Sequence, residues 1–252
     1  MPPIEIVTVP CLKDNYAYLV IAEGYCAVVD PSEAAPVEAA LAERGLKLTH
    51  ILNTHHHWDH TGGNIELKAK YGASVIGPAK DKARIPGIDI AVDEASGWQF
   101  GSHAVRILEV PAHTSGAIAF VFDAAVFTGD TLFAMGCGRL FEGTAAMMHH
   151  SLSKLVALAD GTAVYCGHEY TLNNARFALT LEPGNADLQT RTKEVDALRA
   201  KALPTIPSSI GLEKQTNPFL RTDSAEIRAT LKMDRADAVD VFAEIRRRKD
   251  GF

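Results

Sequence analysis

Residues 53–60, NTHHHWDH, place four histidines and one aspartate within six positions, 55 to 60. Imidazole nitrogens and carboxylate oxygens suit zinc, iron or manganese. In an extended segment alternate side chains share a side, so His55 and His57 point together. A turn after them lets Asp59 and His60 face a second point nearby. One short segment can therefore supply two metal positions. The order His-x-His-x-Asp-His arises by chance on the order of once per thousand chains of this composition, so metal binding is the favoured reading. His56 alternates away from its neighbours. With His50, His103, His149 and His150 it reads as a surface or hydrogen-bonded histidine.

Three more segments repeat one placement. VPAHTSG sets His113, VFTGDTLF sets Asp130 and VYCGHEYT sets His168 just past a strand-like run, each in a Gly- or Ser-rich turn. Each is weak alone, since loop histidines and turn aspartates are common. Together they collect donors at one edge of a sheet, where the strands hold the backbone rigid.

The elements that must carry these turns are legible. IEIVTV, YAYLVIA and YCAVVD read as strands, the last two joined by a hairpin at Glu23-Gly24. EAAPVEAALAERG reads as a helix ending at Gly45. LTHILN, ASVIG, HAVRILEV, AIAFVFD, AVFTG and AVYCG continue the strands, and NIELKAKYG is helical. TAAMMHHSLSKLVALAD reads as a helix capped by Thr144, with Met148, Leu152, Leu155 and Val156 on one face. Strands with packed helices imply a layered α/β architecture. After Tyr170 four segments look helical and no strand run is evident, which sets an expected boundary between residues 1–169 and 170–252.

Bulk properties agree with an ordinary globular protein. The chain has 252 residues, 47 % apolar and 22 % charged, with net charge −6. That length can bury a large core. The charge gives no reason to expect nucleic acid. The apolar run AIAFVF is too short to span a membrane, and MPPIEIVTV lacks a leader's pattern. Cys11, Cys26, Cys137 and Cys166 form no C-x-x-C pair, against a disulfide framework or a cysteine zinc cluster. A monomer in a reducing, cytoplasmic setting is expected.

The set THHHWDH, PAHTSG, TGDTLF and GHEYT resembles the metallo-β-lactamase superfamily. NYAYL, CGRLFEGT, GHEYT, NPFLR and RRRKD resemble glyoxalase II, the hydroxyacylglutathione hydrolases, over nearly the whole chain. The resemblance implies an αββα sandwich, a helical substrate-binding domain over 170–252, and two divalent metal ions, zinc before iron or manganese. It assigns His55, His57 and His113 to one ion and Asp59, His60 and His168 to the other. Asp130 bridges them with a water or hydroxide, and Asp59 and Asp130 are the carboxylates of the catalytic centre. The implied reaction is hydrolysis of S-D-lactoylglutathione to glutathione and D-lactate, the last step of methylglyoxal detoxification. A thiol of pKa roughly 8.5 leaves without a strong general acid.

Arg139, Phe141, Tyr170, Arg246 and Lys249 are the implied glutathione contacts. Glutathione carries two carboxylates, and Arg246 and Lys249 share a helix face; against that, a terminal RRRK run is commonly a solvated helix end. Some relatives carry lysine at Arg139 and tyrosine at Phe141, which bears on glutathione affinity rather than on hydrolysis. Rival readings are a lactonase or nuclease on the same fold, a one-iron persulfide dioxygenase, and a module whose metals are only structural.

Overall fold

The computed structural model describes residues 3–252; Met1 and Pro2, which open the stretch read above for a leader, lie outside them. The chain divides into two compact units. Of the described residues, one holds 3–109 and 114–129, the other 110–113 and 130–252.

The first unit contains β1 (Glu5–Cys11), β2 (Asn15–Ala22), β3 (Tyr25–Val29), α1 (Ala34–Arg44), β4 (His50–Leu52), α2 (Trp58–Thr61), α3 (Asn64–Tyr71), β5 (Ser74–Pro78), β6 (Ile90–Val92), β7 (Trp98–Phe100), β8 (His103–Glu109), β9 (Ile118–Phe122) and β10 (Ala125–Gly129). Strands β1 to β6 form a sheet in sequence order. It is antiparallel through β3 and parallel from β3 to β6. Ala22 pairs with Tyr25, so the hairpin turn is Glu23-Gly24, both at positive φ (52° and 81°). That is the two-residue turn whose twist suits paired strands. Gly45, left-handed at φ 63°, ends α1 as expected. One face of the sheet is a core of Leu19, Val28, Ile51 and Val75 with Val37 and Leu41 of α1 and Leu67 of α3. Strands β7 to β10 run antiparallel in order. Tyr18 of β2 meets Phe127 of β10 at 5.6 Å between ring centroids, and Phe122 stands edge-on to Phe127. Burying such rings is the main stabilising term of this inner layer.

The second unit contains β11 (Leu132–Phe133), β12 (Gly136–Cys137), α4 (Ala145–Val156), β13 (Ala163–Cys166), α5 (Thr171–Leu181), α6 (Ala186–Arg199), β14 (Ser208–Ser209), α7 (Ile210–Thr216), α8 (Ala225–Leu231) and α9 (Ala238–Asp250). Thr144 caps α4 by accepting from Met147 N, and Met148, Leu152 and Leu155 are buried. Val156, read on the same face, is half-buried. Asn185, Ser209, Ser224 and Asp237 cap α6, α7, α8 and α9. One difference from the expected pattern is β14, a two-residue strand paired with β13. It lies beyond Tyr170, where no strand was expected; two serines carry no apolar alternation to reveal it. No described helix is long and apolar enough to cross a membrane. All four cysteines are buried and reduced. Burial pushes Cys11 and Cys137 up to about 11 and Cys26 and Cys166 up to about 12.

Candidate metal centre

In the first unit the histidine segment leaves β4 and runs into α2, whose first turn holds Asp59 and His60. His55 and His60 are buried. His55 Nε2 stands 3.2 Å from His57 Nδ1, and the His55 and His60 rings are 4.2 Å apart. Asp59 Oδ2 lies 3.7 Å from His60 Nε2. Asn15 Nδ2 donates to the Asp59 carbonyl at 3.0 Å and to its carboxylate at 3.2 Å.

Behind these residues stands Asp30, at the exit of β3, which the sequence reading passed over. It is buried and left-handed, with φ 49°. Its carboxylate accepts from Thr54 N at 2.8 Å, Thr54 Oγ1 at 2.6 Å and His60 Nδ1 at 3.0 Å. Thr54 Oγ1 spends its only proton on Asp30, so it accepts from His55 Nδ1 at 3.0 Å. Both imidazoles thus carry their proton on Nδ1, by assignment from this network, and keep Nε2 as the donor for a cation. Asp30, His55 and His60 bring one possible ligand atom each, a carboxylate oxygen and two ring nitrogens, within 4.8 Å of one another.

In the second unit His113 donates from Nδ1 to the Arg139 carbonyl at 3.0 Å, which leaves its Nε2 unprotonated. That atom lies 3.4 Å from Asp130 Oδ2, and His168 Nε2 lies 3.2 Å from the same oxygen. One buried carboxylate therefore faces two imidazoles. Glycines allow the approach. A Cβ on Gly138 would lie 1.9 Å from the Asp130 carbonyl oxygen and 3.1 Å from His113 Nδ1. Gly129, before Asp130, is at φ 50°, and a Cβ there would lie 2.3 Å from Thr54 Oγ1. This donor chemistry fits divalent cations: imidazole nitrogens and carboxylate oxygens, with the far ring nitrogen of His55, His60 and His113 engaged.

The expected glutathione contacts all lie in the second unit. The Tyr170 ring stacks on His168 at 4.7 Å and 3°. The exposed Phe141 ring stands 5.2 Å from that of His113. Arg139 Nε is 4.0 Å from Asp250. Arg246 is buried. It donates to the Cys137 carbonyl at 2.8 Å and to Asp250 at 2.9 and 3.1 Å, and lies over Phe219. Lys249 Nζ donates to the carbonyl oxygen and Oδ1 of Asn173 and sits 5.0 Å from the Phe252 ring centroid. Burial, then Arg246 and Arg139, bring its ammonium down to about 8. In NPFLR, Asn217 Nδ2 donates to the Phe133 and Gly136 carbonyls, which closes the β11–β12 hairpin.

Glu169, beside His168, accepts from Thr205 N at 2.8 Å and Thr205 Oγ1 at 2.6 Å, and faces Arg199 at 3.7 Å. Both of its carboxylate oxygens are thus engaged.

Residues 13–168 match the metallo-β-lactamase superfamily, and residues 169–252 match the hydroxyacylglutathione hydrolase C-terminus. A hydroxyacylglutathione hydrolase of Methylococcus capsulatus is 55 % identical, over 99 % of both chains. Among solved structures, ETHE1 from Myxococcus xanthus aligns with TM-score 0.65 and 25 % identity, over 99 % of this chain and 100 % of its own. TTHA1623 in a di-iron-bound form aligns with TM-score 0.59 and 25 % identity, over 85 % and 98 %. The fold is α/β, of the metallo-β-lactamase type with a helical carboxy-terminal part. The chain belongs to the hydroxyacylglutathione hydrolases, within the metallo-β-lactamase superfamily.

Proposed function

We propose that the protein hydrolyses 2-hydroxyacylglutathione thioesters, S-D-lactoylglutathione first, to glutathione and the free hydroxy acid. The family supports the reaction class. The observation that carries the site is Asp130 Oδ2 facing both His113 Nε2 and His168 Nε2, the arrangement a bridging carboxylate needs. In this reading His55, His57 and His113 serve one ion and Asp59, His60 and His168 the other, with Asp130 shared. Zinc is the metal of this reading, with iron or manganese as alternatives. Divalent cations in such a set supply Lewis acidity, lowering the pKa of water and polarising a carbonyl oxygen.

The chain's own residues do the rest. Asp30 and Thr54 hold the His55 and His60 rings with Nε2 bare. Arg139, Arg246 and Lys249 supply positive charge for the glutathione carboxylates, and Tyr170 and Phe141 supply ring faces beside His168 and His113. The glutathione thiolate departs unaided, at a pKa of roughly 8.5; the engagement of Glu169 with Thr205 and Arg199 supports a reaction without a dedicated acid. Residues 1–169 carry the metals and 170–252 complete the substrate site. The protein acts as a cytoplasmic monomer; four reduced cysteines suit that compartment.

The test is hydrolysis of S-D-lactoylglutathione, followed by loss of thioester absorbance, with metal analysis on the same sample. The expected result is turnover with two metal ions per chain. Full metal content without thioester hydrolysis would overturn the reading.

A further inference from the structure

His56 is the member of the cluster that the metal chemistry leaves over. Its Nδ1 lies 3.0 Å from Asp81 Oδ2, and the Asp81 side chain is fully buried. A carboxylate only accepts, so His56 donates from Nδ1. The other oxygen, Asp81 Oδ1, accepts from Arg84 Nη2 at 2.5 Å, and Arg84 Nη2 also reaches Ser115 Oγ at 3.1 Å. The same carboxylate lies against Gly116: a Cβ built there would stand 2.0 Å from Asp81 Oδ1. Asp81 itself is rigid, because its carbonyl accepts from Arg84 N at 2.7 Å and Ile85 N at 3.1 Å. It follows β5, which pairs with β4, the strand that delivers the histidines.

We propose that His56 and Asp81 are a positioning pair for the metal centre: anchored on buried Asp81, His56 fixes the backbone between His55 and His57 so that their facing nitrogens stay at ligand spacing. The inference rests on the metal reading above. His55 and His57 are each one peptide from His56, and their nitrogens already stand 3.2 Å apart. A residue between them that is tethered to buried Asp81 restricts the backbone rotation that would separate them. The tether is braced in turn by Arg84, and Gly116 leaves room for it. Ordering a ligand before the ion arrives raises affinity without adding a ligand.

The experiment uses the full chain, zinc alone and a competing chromophoric chelator, with the visible spectrum of the cobalt(II)-loaded protein as a second readout. His56→Ala is expected to weaken zinc binding about ten- to a hundred-fold and to shift the cobalt bands. His56→Gln can donate an amide N–H to Asp81 and is expected to recover most of that loss. Wild-type affinity in His56→Ala, or a Gln variant no better than the Ala variant, overturns the proposal. Should His56→Ala fail to fold, Asp81→Asn carries the same test: weakened zinc binding supports it and unchanged binding overturns it. A wild-type protein that takes up no zinc removes the metal reading and this inference together; wild-type uptake with unchanged variants removes the inference alone.

Discussion

The Lys249 ammonium lies over the Phe177 ring, 5.2 Å from its centroid. Desolvation there, with Arg246 and Arg139 near, lowers its pKa to about 8 from an ordinary 10.5. The charge needed for a glutathione carboxylate is therefore present below pH 8 and lost above it. KM for S-D-lactoylglutathione should rise as pH passes through about 8, and Lys249→Met should abolish that limb. Steady-state KM from pH 6.5 to 9.5 checks it; a flat profile in the wild type contradicts it. Stability moves the other way. The unfolded chain binds the extra proton between about 8 and 10.5, so this group makes the fold more stable as pH rises across that window.

Arg246 should behave differently from its helix neighbour. Its guanidinium is buried and bound to Cys137 and Asp250. Removing it leaves a buried carbonyl short of a donor, a loss of about 1–3 kcal/mol. Arg246→Ala should lower the urea midpoint and also raise KM for glutathione thioesters. Lys249→Ala should raise KM with little loss of stability. Smaller thioesters, which lack the glutathione carboxylates, should be spared by both at saturating metal; equal losses on both substrate types would refute the assigned role.

Asp30→Asn should weaken metal binding about ten- to a hundred-fold while leaving every proposed ligand in place. An amide has one oxygen for the Thr54 hydroxyl, the Thr54 N–H and the His60 ring, which now share a carboxylate. At least one imidazole then loses its fixed tautomer. Chelator competition measures it, and unchanged zinc affinity would remove Asp30 from the account.

Asp130→Ala should lose at least one of two metal ions and nearly all hydrolysis, because it deletes the shared carboxylate. Gly129→Ala should approach the same outcome by a different route. A side chain there is forced into the left-handed region and against Thr54, at a cost of about 1–3 kcal/mol in strain. Metal content per chain by elemental analysis distinguishes both from the wild type.

The proposed donors are legible in the sequence because each of their four turns follows a recognisable strand: β4, β8, β10 and β13 end just before the histidine segment, His113, Asp130 and His168. A strand set in a longer β-branched or apolar run announces itself through that run, as three-residue β4 does within LTHILN. Strands β6 and β7, equally short but set among turn residues, do not. The supporting carboxylates were hidden for another reason. Asp30 follows β3 by the same rule as the ligands, yet nothing local shows that it bonds to residues 24 and 30 positions away. His56 was read as alternating away from its neighbours and hydrogen-bonded, and its partner Asp81 is 25 residues distant. Long-range pairings are fixed by the folded sheet, and a linear pattern carries no trace of them.

The burial of all four cysteines has a chemical consequence for a protein that releases glutathione. Each turnover liberates a small thiol, and oxidised glutathione accompanies it wherever the redox poise drifts. Formation of a mixed disulfide requires an accessible protein thiolate. Thiols held protonated, at about 11 to 12, and out of reach do not enter that exchange. The catalyst is thereby kept from being capped by the oxidised form of its product.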